Sequence, residues 1–194
     1  MSQFWLYFNL GLTHVLDWRA YDHILFIAVL VAAYSFNEWK KIVWLVSLFT
    51  IGHTLSLALS TFNVVIVKSE LVEFLIPLTI LLTAIYNIFS AGKKPKNGKI
   101  RVLYFSTLFF GIIHGFGFST YFKMISGNVS AKVLPLLEFA LGIETAQVII
   151  VLGVLILSFI FQNIFRFSQR DWILIISSIV IGFAIPMLAE NIFW

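Results

Sequence analysis

The chain has 194 residues, of which 60% are hydrophobic and 11% charged, with a mean hydropathy of +0.99. A soluble domain carries about 25% charged residues, so this chain lacks the charge to cover a water-exposed surface. That excludes an ordinary soluble enzyme, a disordered chain and a nucleic-acid module, despite the net charge of +4.

A spanning helix needs about 20 apolar residues, and only helices or closed barrels satisfy their backbone in lipid. The apolar runs are continuous rather than alternating, which selects helices. In chain order, the segment 3–16 comes first and is short: a tilted span, or a re-entrant or interfacial helix. Spans are expected at 20–36, 40–61, 68–90, 100–123, 132–164 and 171–193. The predicted fold is all-α, a polytopic transmembrane bundle of six or seven helices forming one integral membrane domain, 1–194. No Lys or Arg precedes the apolar stretch at Phe4 and no small-residue cleavage site follows it, so it does not read as a cleaved signal peptide. Cysteine is absent, which removes disulfides, thiolate ligands and a cysteine nucleophile. Three methionines argue against a Met-rich copper(I) path.

Basic residues set the expected orientation. One side receives Lys40, Lys41, Lys93, Lys94, Lys96, Lys99, Arg101, Arg166 and Arg170; the other receives Arg19, Lys68, Lys123 and Lys132. Under the positive-inside rule the first side is cytoplasmic, and the C-terminus faces outward from an inner (cytoplasmic) bacterial membrane. The run GKKPKNGK is the strongest marker, and it reads as a topology signal rather than a partner-binding patch. The lipid bilayer is thus one partner, nucleic acid is not, and a second copy of the chain is a further candidate.

The four histidines share one leaflet. His14 is expected near the outer end of 3–16 and His23 near the outer start of the next helix. His53 and His114 sit roughly 12–14 Å below the outer surface, and Glu144 roughly 18 Å, at about 1.5 Å per residue. Asp17, Asp22, Glu70, Glu73, Glu138 and Glu190 also fall in the outer half. A lone buried histidine is ordinarily a satisfied structural residue. Four histidines with carboxylates at one depth point instead to a pathway or site, since ionisable groups in lipid are costly. Imidazole plus carboxylate without thiolate suits a divalent transition-metal ion such as Ni, Co or Zn; helix–helix hydrogen bonding is the plainer alternative.

The candidate ligands are therefore His14, Asp22, His23, His53 and His114, with Glu144 as the next acceptor or a proton partner. Thr50, Ser56 and Ser60 flank His53 as a polar stripe, which could equally be packing glue. Gly111, Gly115 and Gly117 surround His114, where they allow close packing or a helix break beside a cavity. Gln147 shares a helix face with Glu144, whereas Glu138 falls off that stripe. Asp17, Thr50, Ser56, Glu73, Glu138 and Gln147 are the expected supporting residues. Asp22 and His23 are adjacent, so either Asp22 lies in the turn before the helix or only one of the pair points inward.

These motifs, in this order, resemble the HupE/UreJ family of small membrane proteins, over most of the chain. GLTHVLDWRAYDHILF at 11–26 is similar to its N-terminal His and Asp-His signature, with a wider gap between His14 and Asp22. FTIGHTLSL at 49–57, the stretch from Glu73 to Asn87, FGIIHGFGFS at 110–119 and FALGIETAQ at 139–147 resemble its other blocks; Ala140 and Ala146 stand where the family has Asn and Gly. The resemblance implies a nickel or cobalt permease associated with hydrogenase and urease maturation. On the residues alone, two other classes compete. An intramembrane zinc-type hydrolase could use the same His/Asp/Glu cluster around an open water position, and a metal-stabilised structural or chaperone-like subunit would need no turnover. Ser119 lacks any activating partner beyond His114, and no P-loop is present. A permease needs a polar route past the cluster; an enzyme needs only an opening from one side.

Overall fold

The computed structural model describes residues 2–92, 97–127 and 132–193. Seven α-helices carry them: α1 Gln3–Leu16, α2 Asp22–Val31, α3 Trp39–Thr61, α4 Ser69–Ser90, α5 Asn97–Ser126, α6 Val133–Asn163 and α7 Gln169–Glu190. A single 3-10 turn, Phe36–Glu38, leads into α3. The helices α3 to α7 are long and apolar enough to cross a membrane, and there is no strand among the described residues.

The expected span 20–36 is corrected. Its helix, α2, has ten residues and rises about 15 Å, half the roughly 30 Å hydrocarbon core. Phe26, Ile27, Val29, Leu30 and Val31 are all buried, so the apolar run is enclosed by other helices rather than by lipid. Asn87 Nδ2 donates to the carbonyl of Val29 at 2.6 Å. That satisfies one of the carbonyls a helix leaves open in its last turn.

The directions of the helices follow from pairwise contacts. Gly52 and Gly111 mark the crossing of α3 and α5: a Cβ on Gly52 would meet the carbonyl of Leu108, and one on Gly111 the carbonyl of Phe49. Lys123 Nζ donates to Asn63 Oδ1 at 3.0 Å further along, so the two helices run parallel. The spacings Gly52-x-x-x-Ser56 and Gly111-x-x-x-Gly115 supply the small residues that close helix packing requires. The helix α6 runs against them, with Ser47 bonded to Glu144 and His53 packed on Phe139. The helices α4 and α7 form an antiparallel pair, Phe74 lying on Phe193 at one end and Gly92 against Arg170 at the other.

One face of the bundle, the near face, therefore holds the ends of α3, α5 and α7 and the starts of α4 and α6. The far face holds the opposite ends. The helix α1 descends from the near face: Tyr7 touches Phe122, and His14 touches Phe118, one turn further from the end of α5. It runs parallel to α6, the two crossing at Gly11 and Gly142. His14 is thus at the deep end of α1, and α2 starts at that depth rather than at the surface. The expected shallow positions of His14 and His23 are corrected accordingly. The helices α1 and α2 lie in series, 24 residues interrupted at 17–21, and together cross the bundle once as a broken helix. With α3 to α7 this makes six crossings.

Arg19 belongs to that interruption, exposed beside Asp17. Lys68, Lys123 and Lys132 lie toward the near face; Lys40, Lys41, Arg166 and Arg170 lie toward the far face. Lys93, Lys94, Lys96 and the C-terminal Trp194 lie outside the described residues, as do the side chains of Lys99 and Arg101.

Candidate metal centre

The sequence places one histidine on each of four helices, and the fold brings them together. His14 arrives at the last turn of α1, His23 in the first turn of α2, His53 one residue past the α3 crossing glycine, and His114 three past that of α5. Ring centroids lie 4.7 Å apart for His14–His23, 5.8 Å for His14–His53, 5.9 Å for His23–His53 and 5.4 Å for His23–His114. One ring nitrogen each of His14, His23 and His53 falls within 4.8 Å of the others. Three nitrogens on one tetrahedral ion lie about 3.4 Å apart, given a metal–nitrogen bond of about 2.1 Å. Side-chain shifts that shorten the separations by up to about 1.4 Å close the set.

Hydrogen bonding fixes which nitrogen faces the cluster. His114 Nδ1 lies 2.8 Å from the carbonyl of Phe110. A carbonyl only accepts, so Nδ1 carries the proton and Nε2 presents a lone pair. His23 Nδ1 likewise donates to Asp22 Oδ1 at 3.3 Å, leaving its Nε2 as the free acceptor. That carboxylate–imidazole pairing is the arrangement that orients metal-binding histidines. The Nε2 atoms of His14, His23 and His114 and both ring nitrogens of His53 are buried and meet no hydrogen-bond partner. Buried polar atoms are normally paired, and here unpaired imidazole nitrogens gather at one point. Phe26, Phe49, Phe118 and Phe139 wall the cluster with their rings.

The other expected residues divide. Asp22 acts on His23 rather than lying free in the cluster. Glu144 lies outside the three-histidine group, between α3 and α6. It accepts from Ser47 Oγ at 2.6 Å and from Thr50 Oγ1, while Gln147 Nε2 donates to Thr50 Oγ1 at 3.1 Å. Ser56 Oγ donates to the backbone carbonyl of His53 at 3.0 Å, so it supports the helix rather than the ring. Glu138 is buried on α6 with Oε2 unpartnered. Asp17 is exposed and accepts from the backbone of Arg19 at 2.9 Å; Glu73 is exposed on α4 and is not part of the three-histidine group. Ser47 and Phe118 escaped the sequence reading. Ser47 could have been found, because it extends the stripe Thr50, His53, Ser56 by one more step of three. Phe118 gave no signal among 21 phenylalanines.

A polytopic helical membrane protein with a buried, thiolate-free imidazole cluster at a helix break is the class these features define. Compared with known proteins, the chain matches the family described as HupE / UreJ protein over residues 1–190. It belongs to the HupE/UreJ family. No curated protein and no solved structure matches it.

Proposed function

We propose that this chain is an inner-membrane permease for a divalent transition-metal cation, Ni²⁺ or Co²⁺. One observation carries the reading: four imidazoles from four helices converge with unpaired nitrogens where α1 gives way to α2. His14, His23 and His53 take the cation, His114 joins through its contact with His23, and Asp22 holds His23 in the ligating tautomer. Nitrogen ligands without thiolate suit borderline divalent ions. A helix broken at membrane depth beside such a site is the device by which transporters expose backbone and ligands to a substrate.

Polar groups continue beyond the cluster. Thr50 lies one turn, about 4.5 Å, from His53 toward the far face, and Ser47 about 9 Å; both hold the Glu144 carboxylate. This is the onward station that a permease needs. The near face is the outer one in this reading, and the far face, with its basic residues, is cytoplasmic.

The test is Ni²⁺ and Co²⁺ uptake into liposomes containing the purified protein, against the His53→Ala, His114→Ala double variant. Saturable uptake by the wild type that the double variant lacks is the expected result. Background-level uptake by a wild type that demonstrably binds the ion overturns transport.

A further inference from the structure

Of the four clustered histidines only His14 is not fully buried; His23, His53 and His114 expose 2%, 0% and 2% of their surface. His14 lines an open cleft of about 540 Å³ between α1 and α5, together with Leu10, Thr13, Asp17, Phe118 and Tyr121. Six waters at about 30 Å³ each occupy roughly 180 Å³, so the cleft has the volume to hold a cation with its first hydration shell. The cluster behind it does not, being closed by imidazole and phenyl rings.

The wall between cleft and cluster is thin and specific. The His14 ring has its Nε2 buried without a partner, while its edge borders the cleft. Phe118 lies against that ring, 4.0 Å between centroids, and is itself stacked on Phe139 at 5.0 Å with 7° between planes. Asp17 is the one carboxylate on the cleft wall, and among the described residues its Oδ1 accepts from the backbone N–H of Arg19, two residues on.

We infer that this cleft is the vestibule through which the hydrated cation reaches the histidines, with Asp17 drawing it in, His14 the first nitrogen it meets, and Phe118 the gate. The inference rests on the permease reading for its cargo. The gate works by displacement: with Phe118 turned from His14, the cation exchanges waters for imidazole nitrogens one at a time, and the ring then returns to shut out solvent. A gate changes rates in both directions and leaves the equilibrium alone.

The chain has no cysteine, so single cysteines can be introduced without background. Thr13→Cys in liposomes should react with a water-borne, membrane-impermeant thiosulfonate. The modified protein should then bind Ni²⁺ more slowly by about tenfold or more, within the range over which association rates vary between variants of one site. Modified Asn163→Cys, at the end of α6 on the far face, should bind at the wild-type rate. Phe118→Ala should accelerate association and dissociation of Ni²⁺ together, about tenfold each, with Kd unchanged. Failure of Thr13→Cys to react, an unchanged association rate after it has reacted, or a Phe118→Ala variant altered in Kd alone overturns the vestibule. If the wild type binds no Ni²⁺, the permease reading falls, and the Thr13→Cys reaction still reports by itself whether the cleft is open to water.

Discussion

Gly115 lies directly against the backbone of His53: a Cβ built on it would overlap the His53 carbonyl oxygen and Ser56 Oγ. The position of His53 is therefore set by the absence of a side chain on α5, one residue after His114. Gly115→Ala forces α3 and α5 apart at the cluster. Overpacking of this kind costs about 1–3 kcal/mol, and the two histidines should separate. Thermal unfolding in detergent and Ni²⁺ binding check this; both should fall, and more than for Gly153→Ala, where a Cβ meets nothing within 4 Å.

Removal of the orienting carboxylate should weaken the site without abolishing it. Groups behind a metal ligand typically contribute 10–100-fold in affinity, so Asp22→Ala should raise the Kd for Ni²⁺ by about that factor. Ser56→Ala, which touches the His53 backbone and not its ring, should have a smaller effect. The His53→Ala, His114→Ala double variant should bind no ion. Calorimetry or elemental analysis of protein purified without chelator reads all three, and an unchanged stoichiometry in the double variant would refute the shared site.

Glu144→Gln should separate binding from movement. The carboxylate stands off the three-histidine group, anchored by Ser47 and Thr50. The variant should load Ni²⁺ much as the wild type does, yet carry it across liposome membranes at background rate. Loss of both would make Glu144 part of the histidine site itself.

Topology gives a fourth expectation. A reporter fused after Trp194 should appear outside and one inserted at Lys96 should appear inside. The start of α1 and the end of α7 share the near face, so an accessible tag before Gln3 should label from the same side as the one after Trp194. Labelling from opposite sides would contradict the broken-helix crossing.

Much of this architecture is legible in the sequence, because hydropathy alone marks α3 to α7 and lipid leaves helices no alternative. The histidines are legible as a set from residue type, but by depth only for His53 and His114, since His14 and His23 read as lying near the surface. What escapes is the path of the first 35 residues. DHILFIAVLVAAY is apolar enough to suggest a span, but hydropathy cannot tell a helix wrapped by lipid from one wrapped by protein. Only the contacts of Tyr7 with Phe122 and Asn87 with Val29 show that α1 and α2 share one crossing. The separation of Glu144 from the cluster is hidden for a similar reason: depth is a single coordinate, and Glu144 departs along another, toward Ser47. The glycines around His114 are visible as letters, yet the His53 carbonyl that Gly115 meets belongs to a helix some 60 residues earlier.

The interruption between α1 and α2 also sets what a change of shape would cost. Across 17–21 the backbone keeps a single turn hydrogen bond, Ala20 N–H to the carbonyl of Asp17 at 3.2 Å. An uninterrupted helix would carry about four i to i−4 bonds over the same stretch. The helix α1 is clasped to α6 through Gly11 and Gly142, whereas α2 is tethered to α4 through Asn87. Changing the angle between the two units would alter the spacing of His14 and His23 without breaking a regular turn of either helix, so the geometry of the ligand set is held by packing rather than by helix continuity.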